Sequence, residues 1–97
     1  MDKIVFTPGA LEDYHAATAW YFARSEKVAY KFDAALAAAL ERILATPELY
    51  ALVDPHHRRG LLRRFPYSII YRVRQDDILV LAVAHSRRSS SFWKKRG

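Results

Sequence analysis

A chain of 97 residues, 52% hydrophobic and 27% charged, has enough apolar content for one small core, which excludes a disordered or low-complexity chain. It has no cysteine, its start Met1-Asp2-Lys3 is too charged for a signal peptide, and no apolar run approaches the roughly 20 residues of a membrane helix. Disulfides, thiolate metal sites and a membrane span are thereby excluded, a cytoplasmic protein is expected, and the net charge of +6 points to an anionic partner.

Residues 3–6, Lys-Ile-Val-Phe, predict a first or edge strand ended by Thr7-Pro8-Gly9. Thr7 also opens a helix, since its hydroxyl can cap and Pro8 at the first helical position forfeits no hydrogen bond. That helix is predicted over about 8–24, with Leu11, Tyr14, Thr18, Tyr21 and Phe22 on one face at spacings of three and four. Ser25 breaks the pattern and caps a second helix over about 26–45. Val28, Phe32, Leu36, Leu40 and Ile43 form its stripe, and the alanine-rich stretch 34–39 favours helix and close packing. Thr46-Pro47 ends it, so the two helices read as a hairpin.

Residues 48–60 have no sustained period and close on Pro55-His56-His57-Arg58-Arg59-Gly60, so a loop is expected. Strands follow. The first covers 61–65 and breaks at Pro66. The second covers 68–74, with Ile69, Tyr71 and Val73 on one face and Ile70, Arg72 and Arg74 on the other. Gln75-Asp76-Asp77 turns, and 78–84 is apolar throughout, as befits a strand covered on both faces. Residues 85–97 form a basic tail with Ser89, Ser90, Ser91, Phe92 and Trp93. The expected fold is α+β in the order β-α-α-β-β-β. A helical hairpin packs on one face of an antiparallel sheet, and residues 1–97 form one domain. Function is expected on the opposite, less covered face, which carries arginines.

The chain holds no Gly-rich phosphate loop, His-Glu-x-x-His or EF-hand loop, and no Ser-His-Asp spacing. His56-His57 lacks a third ligand, so neither metal nor cofactor is expected. What remains is segregated charge. Residues 1–57 hold 5 Lys/Arg against 8 Asp/Glu, whereas residues 58–97 hold 11 against 2. RNA, DNA or an acidic protein would suit the second half. A two-residue turn at Asp76-Asp77 would pair Ser68 with His85 and place Ser68, Arg72, Arg74 and His85 on one face. A three-residue turn would move His85 to the face opposite Arg72. Alternation lets one of Arg63 and Arg64 join, and Arg87 and Arg88 follow directly. Such a face can hold a phosphate backbone, and a histidine among arginines is kept neutral as a general base. The same arginines also suit the solvated side of a half-exposed strand, their stems covering apolar surface.

Residues 63–73, Arg-Arg-Phe-Pro-Tyr-Ser-Ile-Ile-Tyr-Arg-Val, resemble the R-x-F-P-Y-x-I-x-Y strand pair of the RelE/ParE superfamily of bacterial type II toxins, or plasmid stabilisation proteins. Residues 78–88, ending His85-Ser86-Arg87-Arg88, then Phe92-Trp93, resemble its closing strand and H-x-R-R…W signature. Phe6-Thr7, Ala10, Tyr21, Ser25, Ala29, Phe32, Leu44 and Pro47 agree with its helical hairpin. The resemblance covers nearly the whole chain and implies the same fold.

It also implies a cognate acidic antitoxin as partner, and one of two targets. RelE-type members are ribosome-dependent, metal-independent mRNA endoribonucleases that use the mRNA's own 2′-hydroxyl as nucleophile. ParE-type members poison DNA gyrase. In the nuclease case His85, Arg72 and Arg87, with one of Arg63 or Arg64, would hold and cleave the phosphodiester. In the gyrase case Arg63, Arg64, Arg74, Arg88, Phe92 and Trp93 would form the target-binding surface. Two departures favour the ParE-like branch. Ser68 stands where RelE-like nucleases often carry arginine, and Phe92 where their tyrosine is expected. A phenyl ring stacks on a base but transfers no proton.

Overall fold

The computed structural model describes residues 3–88 and 91–96; Met1, Asp2, Gly97 and the tail serines Ser89 and Ser90 lie outside the described residues. Strand β1 (Ile4–Phe6) leads into helices α1 (Pro8–Arg24) and α2 (Glu26–Ala45). Strands β2 (Ala51–Asp54), β3 (His57–Leu61), β4 (Tyr67–Val73) and β5 (Ile78–His85) follow. They form one sheet in the order β1-β5-β4-β3-β2, with the apolar β5 inside as its composition requires.

The class is α+β as expected, but the sheet is mixed. The chain returns from α2 to the far edge and zigzags back, so β5 arrives beside β1 pointing the same way, while the other pairings are antiparallel. The loop expected over 48–60 is also corrected, because it supplies β2 and most of β3. The Asp54 carboxylate accepts the N–H groups of His56 and His57 at 2.8 Å each and closes that hairpin. Ala51, Leu52 and Val53 are all exposed, so β2 has no inside–outside alternation for a pattern to register. The strand expected over 61–65 is a turn beyond Leu61.

Both helix starts follow their capping residues. Thr7 Oγ1 accepts from the Ala10 N–H at 3.1 Å, and Ser25 Oγ from the Val28 N–H at 3.2 Å. The Ser25 N–H also donates to the Tyr21 carbonyl, so one residue ends α1 and starts α2. On α2 the buried residues are Ala29, Phe32, Leu36, Ala39 and Ile43, close to the expected stripe. On α1 small residues take the inner positions. Ala10 and Ala17 are buried, whereas Leu11 and Phe22 are exposed and Tyr14 and Tyr21 half-buried.

The β4–β5 pairing decides the faces of the site. Beyond the paired Val73 and Ile78 the Arg74 N–H donates to the Asp77 carbonyl at 2.9 Å, so the turn closes over Gln75-Asp76 and not over Asp76-Asp77 or a three-residue loop. Tyr71 then pairs with Val80 but Ile70 with Ala82, leaving Leu81 as a bulge. Val80 and Val83 therefore face the helices, and Leu79, Leu81, Ala82 and Ala84 share the opposite face with Ile70. That second face is not open. Trp93 and Phe92 of the tail pack on it, and Trp93 is only 3% exposed. Among the described residues no helix is long and apolar enough to cross a membrane.

Candidate target-binding site

His85 pairs with Tyr67, so the bulge places it on the helix side of the sheet, its ring edge-on to Tyr67 at 5.1 Å. Arg72 lies on the other face beside Leu79. It stands five positions along β4 from Tyr67, about 17 Å at the strand rise. The expected grouping of His85, Arg72 and Arg87 is therefore not assembled. Arg87 does stay near, and its backbone N–H donates to His85 Nδ1 at 3.1 Å. In the neutral ring so engaged Nδ1 is the acceptor and Nε2 carries the hydrogen. Arg74 sits at the far hairpin, bound to Asp77 through Nε at 2.5 Å and Nη2 at 2.7 Å. Those bonds push the Arg74 guanidinium up and hold the Asp77 carboxyl below its ordinary range.

A different set of arginines is brought together at the other end of the sheet. The Ser86 N–H donates to the Pro66 carbonyl at 2.8 Å, which ties the turn over 62–66 to the segment after β5. Within the turn Leu62 is buried, and Phe65 lies edge-on to Tyr21 and Phe32 at 5.3 and 5.4 Å. With those two anchored inward, Arg63 and Arg64 are both exposed. Arg64 has φ 68°, a left-handed conformation that costs a non-glycine residue about 1 kcal/mol. Arg87 and Arg88 are exposed beside this turn. Arg59, opposite Ile70 on the second face, shares a small cleft of about 120 Å³ with Ser68, Arg88 and Phe92.

Asp13 organises the tail behind these arginines. Its side chain is 7% exposed and accepts from Arg96 at 2.6 and 3.3 Å, from the Val83 N–H at 3.2 Å and from Arg88 at 3.4 Å. Arg96 also donates to the Leu81 carbonyl at 3.1 Å, which accepts the Thr7 hydroxyl at 3.3 Å as well. The backbone groups around the bulge thus find partners on α1 and the tail. Phe92 lies under Arg88 and Arg96, whose guanidinium carbons stand 3.6 and 5.0 Å from its ring centre. Trp93 packs against His57 at 4.8 Å, and His57 Nδ1 meets Asp54 at 2.8 Å. Trp93, expected on the target-binding surface, lies in the core and is only 3% exposed. Phe92 is half-buried beneath its two arginines.

Sequence reasoning missed Asp13, whose partner Arg96 is 83 residues away. It also missed a groove of about 520 Å³ between α1 and the end of β5. Trp20, Tyr21, Tyr67 and Val83 give it mostly apolar walls, and His85 and Arg88 stand at its edge. Trp20 is 52% exposed, with Arg24 stacked on its ring at 3.7 Å.

The sequence model of the family described as "ParE toxin of type II toxin-antitoxin system, parDE" matches residues 4–90. No curated protein is similar enough in sequence to match. Among solved structures the chain is similar to one from the chromosomal ParDE TA system from P. aeruginosa. That likeness has 21% identity and a TM-score of 0.74 over 86% of this chain and 94% of that one, and it is a likeness of fold. The family match spans all but the chain's ends. The chain belongs to the ParE toxin family of type II toxin–antitoxin systems.

Proposed function

We propose that this protein is a non-enzymatic toxin that acts by binding DNA gyrase and is neutralised by a cognate acidic antitoxin. The observation that carries the reading is the separation of His85 on β5 from Arg72 on β4, on opposite faces and toward opposite ends of that strand pair. His85 and Arg72 therefore do not share one reaction centre, and the engaged Nδ1 of His85 supports the same reading. Membership of the ParE family supports gyrase over the ribosome as the target, and the ParDE system of the structural relative supports an antitoxin partner. The apolar groove beside α1, with Arg88 and His85 at its edge, suits an amphipathic acidic segment of that antitoxin.

Inducing the protein in a bacterium carrying a DNA-damage (SOS) reporter tests the reading. The expected result is growth arrest with a strong SOS signal, because a poisoned gyrase leaves broken DNA. Growth arrest with no SOS signal and with cleaved mRNA would overturn it in favour of the ribosome.

A further inference from the structure

We infer that Arg63, Arg64 and Arg87 at the turn end of the sheet, with Arg59 from the middle of β3, form a docking surface for the phosphodiester backbone of duplex DNA. The choice of duplex DNA over other polyanions rests on the gyrase reading; the phosphate-binding character rests on the residues themselves.

The first argument is charge pairing. Arg74 is paired with Asp77, and Arg88 and Arg96 with Asp13. Arg59, Arg63, Arg64 and Arg87 are exposed and meet no carboxylate among the described residues. The nearby acid, Asp13, is already taken by the two arginines behind them. An uncompensated cluster of this kind attracts a polyanion and gains from releasing its counterions. Each guanidinium can grip phosphate oxygens with two parallel N–H donors.

The second argument is rigidity. Buried Leu62 and inward Phe65 fix the turn that carries Arg63 and Arg64, and the Leu62 N–H donates to the Tyr67 carbonyl at 3.0 Å. The Ser86–Pro66 bond fixes the Arg87 segment against that turn. Arg64 keeps its charge at a left-handed position where glycine would sit without strain.

The third argument concerns what the surface lacks. Phe92 is covered by Arg88, Trp93 is buried, and Trp20 carries Arg24 on its ring. The tail rings Phe92 and Trp93 are thus covered or buried and give unpaired bases no stacking platform among the arginines, while Trp20 keeps its exposed surface in the groove beside α1. The contact is therefore with the backbone and independent of sequence, as expected for a duplex gripped by its phosphates.

Fluorescence anisotropy with a short labelled duplex of mixed sequence, in the absence of gyrase, tests the inference across a salt series. Four phosphate contacts give a loss of affinity of about 150-fold between about 50 and 200 mM salt. The double variant R63Q/R87Q is expected to lose only about 12-fold over that range, and to bind more weakly throughout, having two contacts fewer. The charge-matched control K27Q/K31Q, on exposed positions of α2, is expected to keep the wild-type slope. An unchanged slope in R63Q/R87Q, or an equal fall in both variants, overturns the inference. Tighter binding of wild type to single-stranded RNA than to duplex also overturns it. So does an R63Q/R87Q variant that binds DNA normally but no longer binds purified gyrase, which would make this end a protein-docking surface. That last outcome leaves the gyrase reading standing, whereas a missing SOS signal with intact DNA binding sinks the gyrase reading alone.

Discussion

Tyr71 is fully buried in β4, and its hydroxyl donates to the Pro47 carbonyl at 2.6 Å, tying the sheet to the end of α2. Burial pushes its phenol from the ordinary 10.0 up to about 12, because the interior disfavours the phenolate. A group raised in the folded state favours folding fully below its unfolded value and loses that contribution as pH climbs through the folded one. Stability is therefore expected to fall between about pH 10 and 12. Tyr71→Phe removes this titration, so its melting temperature should decline less steeply over that window. Parallel declines in the two proteins would show that Tyr71 does not titrate there. The Tyr71 partner could not be read from the chain, because the pattern marks Tyr71 as inward-facing without saying which carbonyl its hydroxyl reaches. Asp13 was hidden more completely, as one acid on a helix whose partners Val83 and Arg96 lie 70 and 83 residues away.

At the scale of elements, sequence pattern located both helices and the buried strand β5, since capping residues and apolar stripes are local signals. It failed where one residue breaks the count. The Leu81 bulge reverses the face of every later residue in β5, so His85 could not be placed from turn length alone. The tail was legible only as basic and aromatic, yet it packs on the sheet and reaches α1. Gly9 in the first turn of α1 shows how close that approach is. A Cβ built there would stand 2.5 Å from Arg96 Nε. Gly9→Ala should add about 0.5–1 kcal/mol from helix propensity alone. Displacing Arg96 from Asp13 is expected to outweigh that gain and make the single variant less stable than wild type. In an Arg96→Ala background the same change should become stabilising, and the cycle should close with about 1 kcal/mol or more of coupling in urea denaturation. Additivity within about 0.3 kcal/mol would mean that Arg96 gives way without loss.

Over the whole molecule, the class and the family signature were legible because the apolar pattern and the FPY and H-x-R-R segments are continuous in sequence. The site was legible only as an excess of arginine in the second half. Which arginines gather depends on a turn anchored by Leu62 and Phe65 and on a bulge that sends His85 away from Arg72. The same organisation divides the molecule into two cores on either side of the sheet. The second consists of Ile70, Leu79, Leu81, Ala82 and Ala84 under a lid formed by Trp93 and Phe92. A chain ended at Arg88 keeps the whole sheet but loses that lid and the Arg96 clasp. Removing a buried tryptophan alone costs about 3–5 kcal/mol. A small domain has only about 5–15 kcal/mol in total, and this chain is short enough to lie toward the lower end. The truncated chain should therefore lose its cooperative urea transition and its near-ultraviolet circular dichroism while retaining helical signal in the far ultraviolet. An unchanged urea midpoint would mean that the helix-side core alone specifies the fold, and that Trp93 covers the second face without stabilising it.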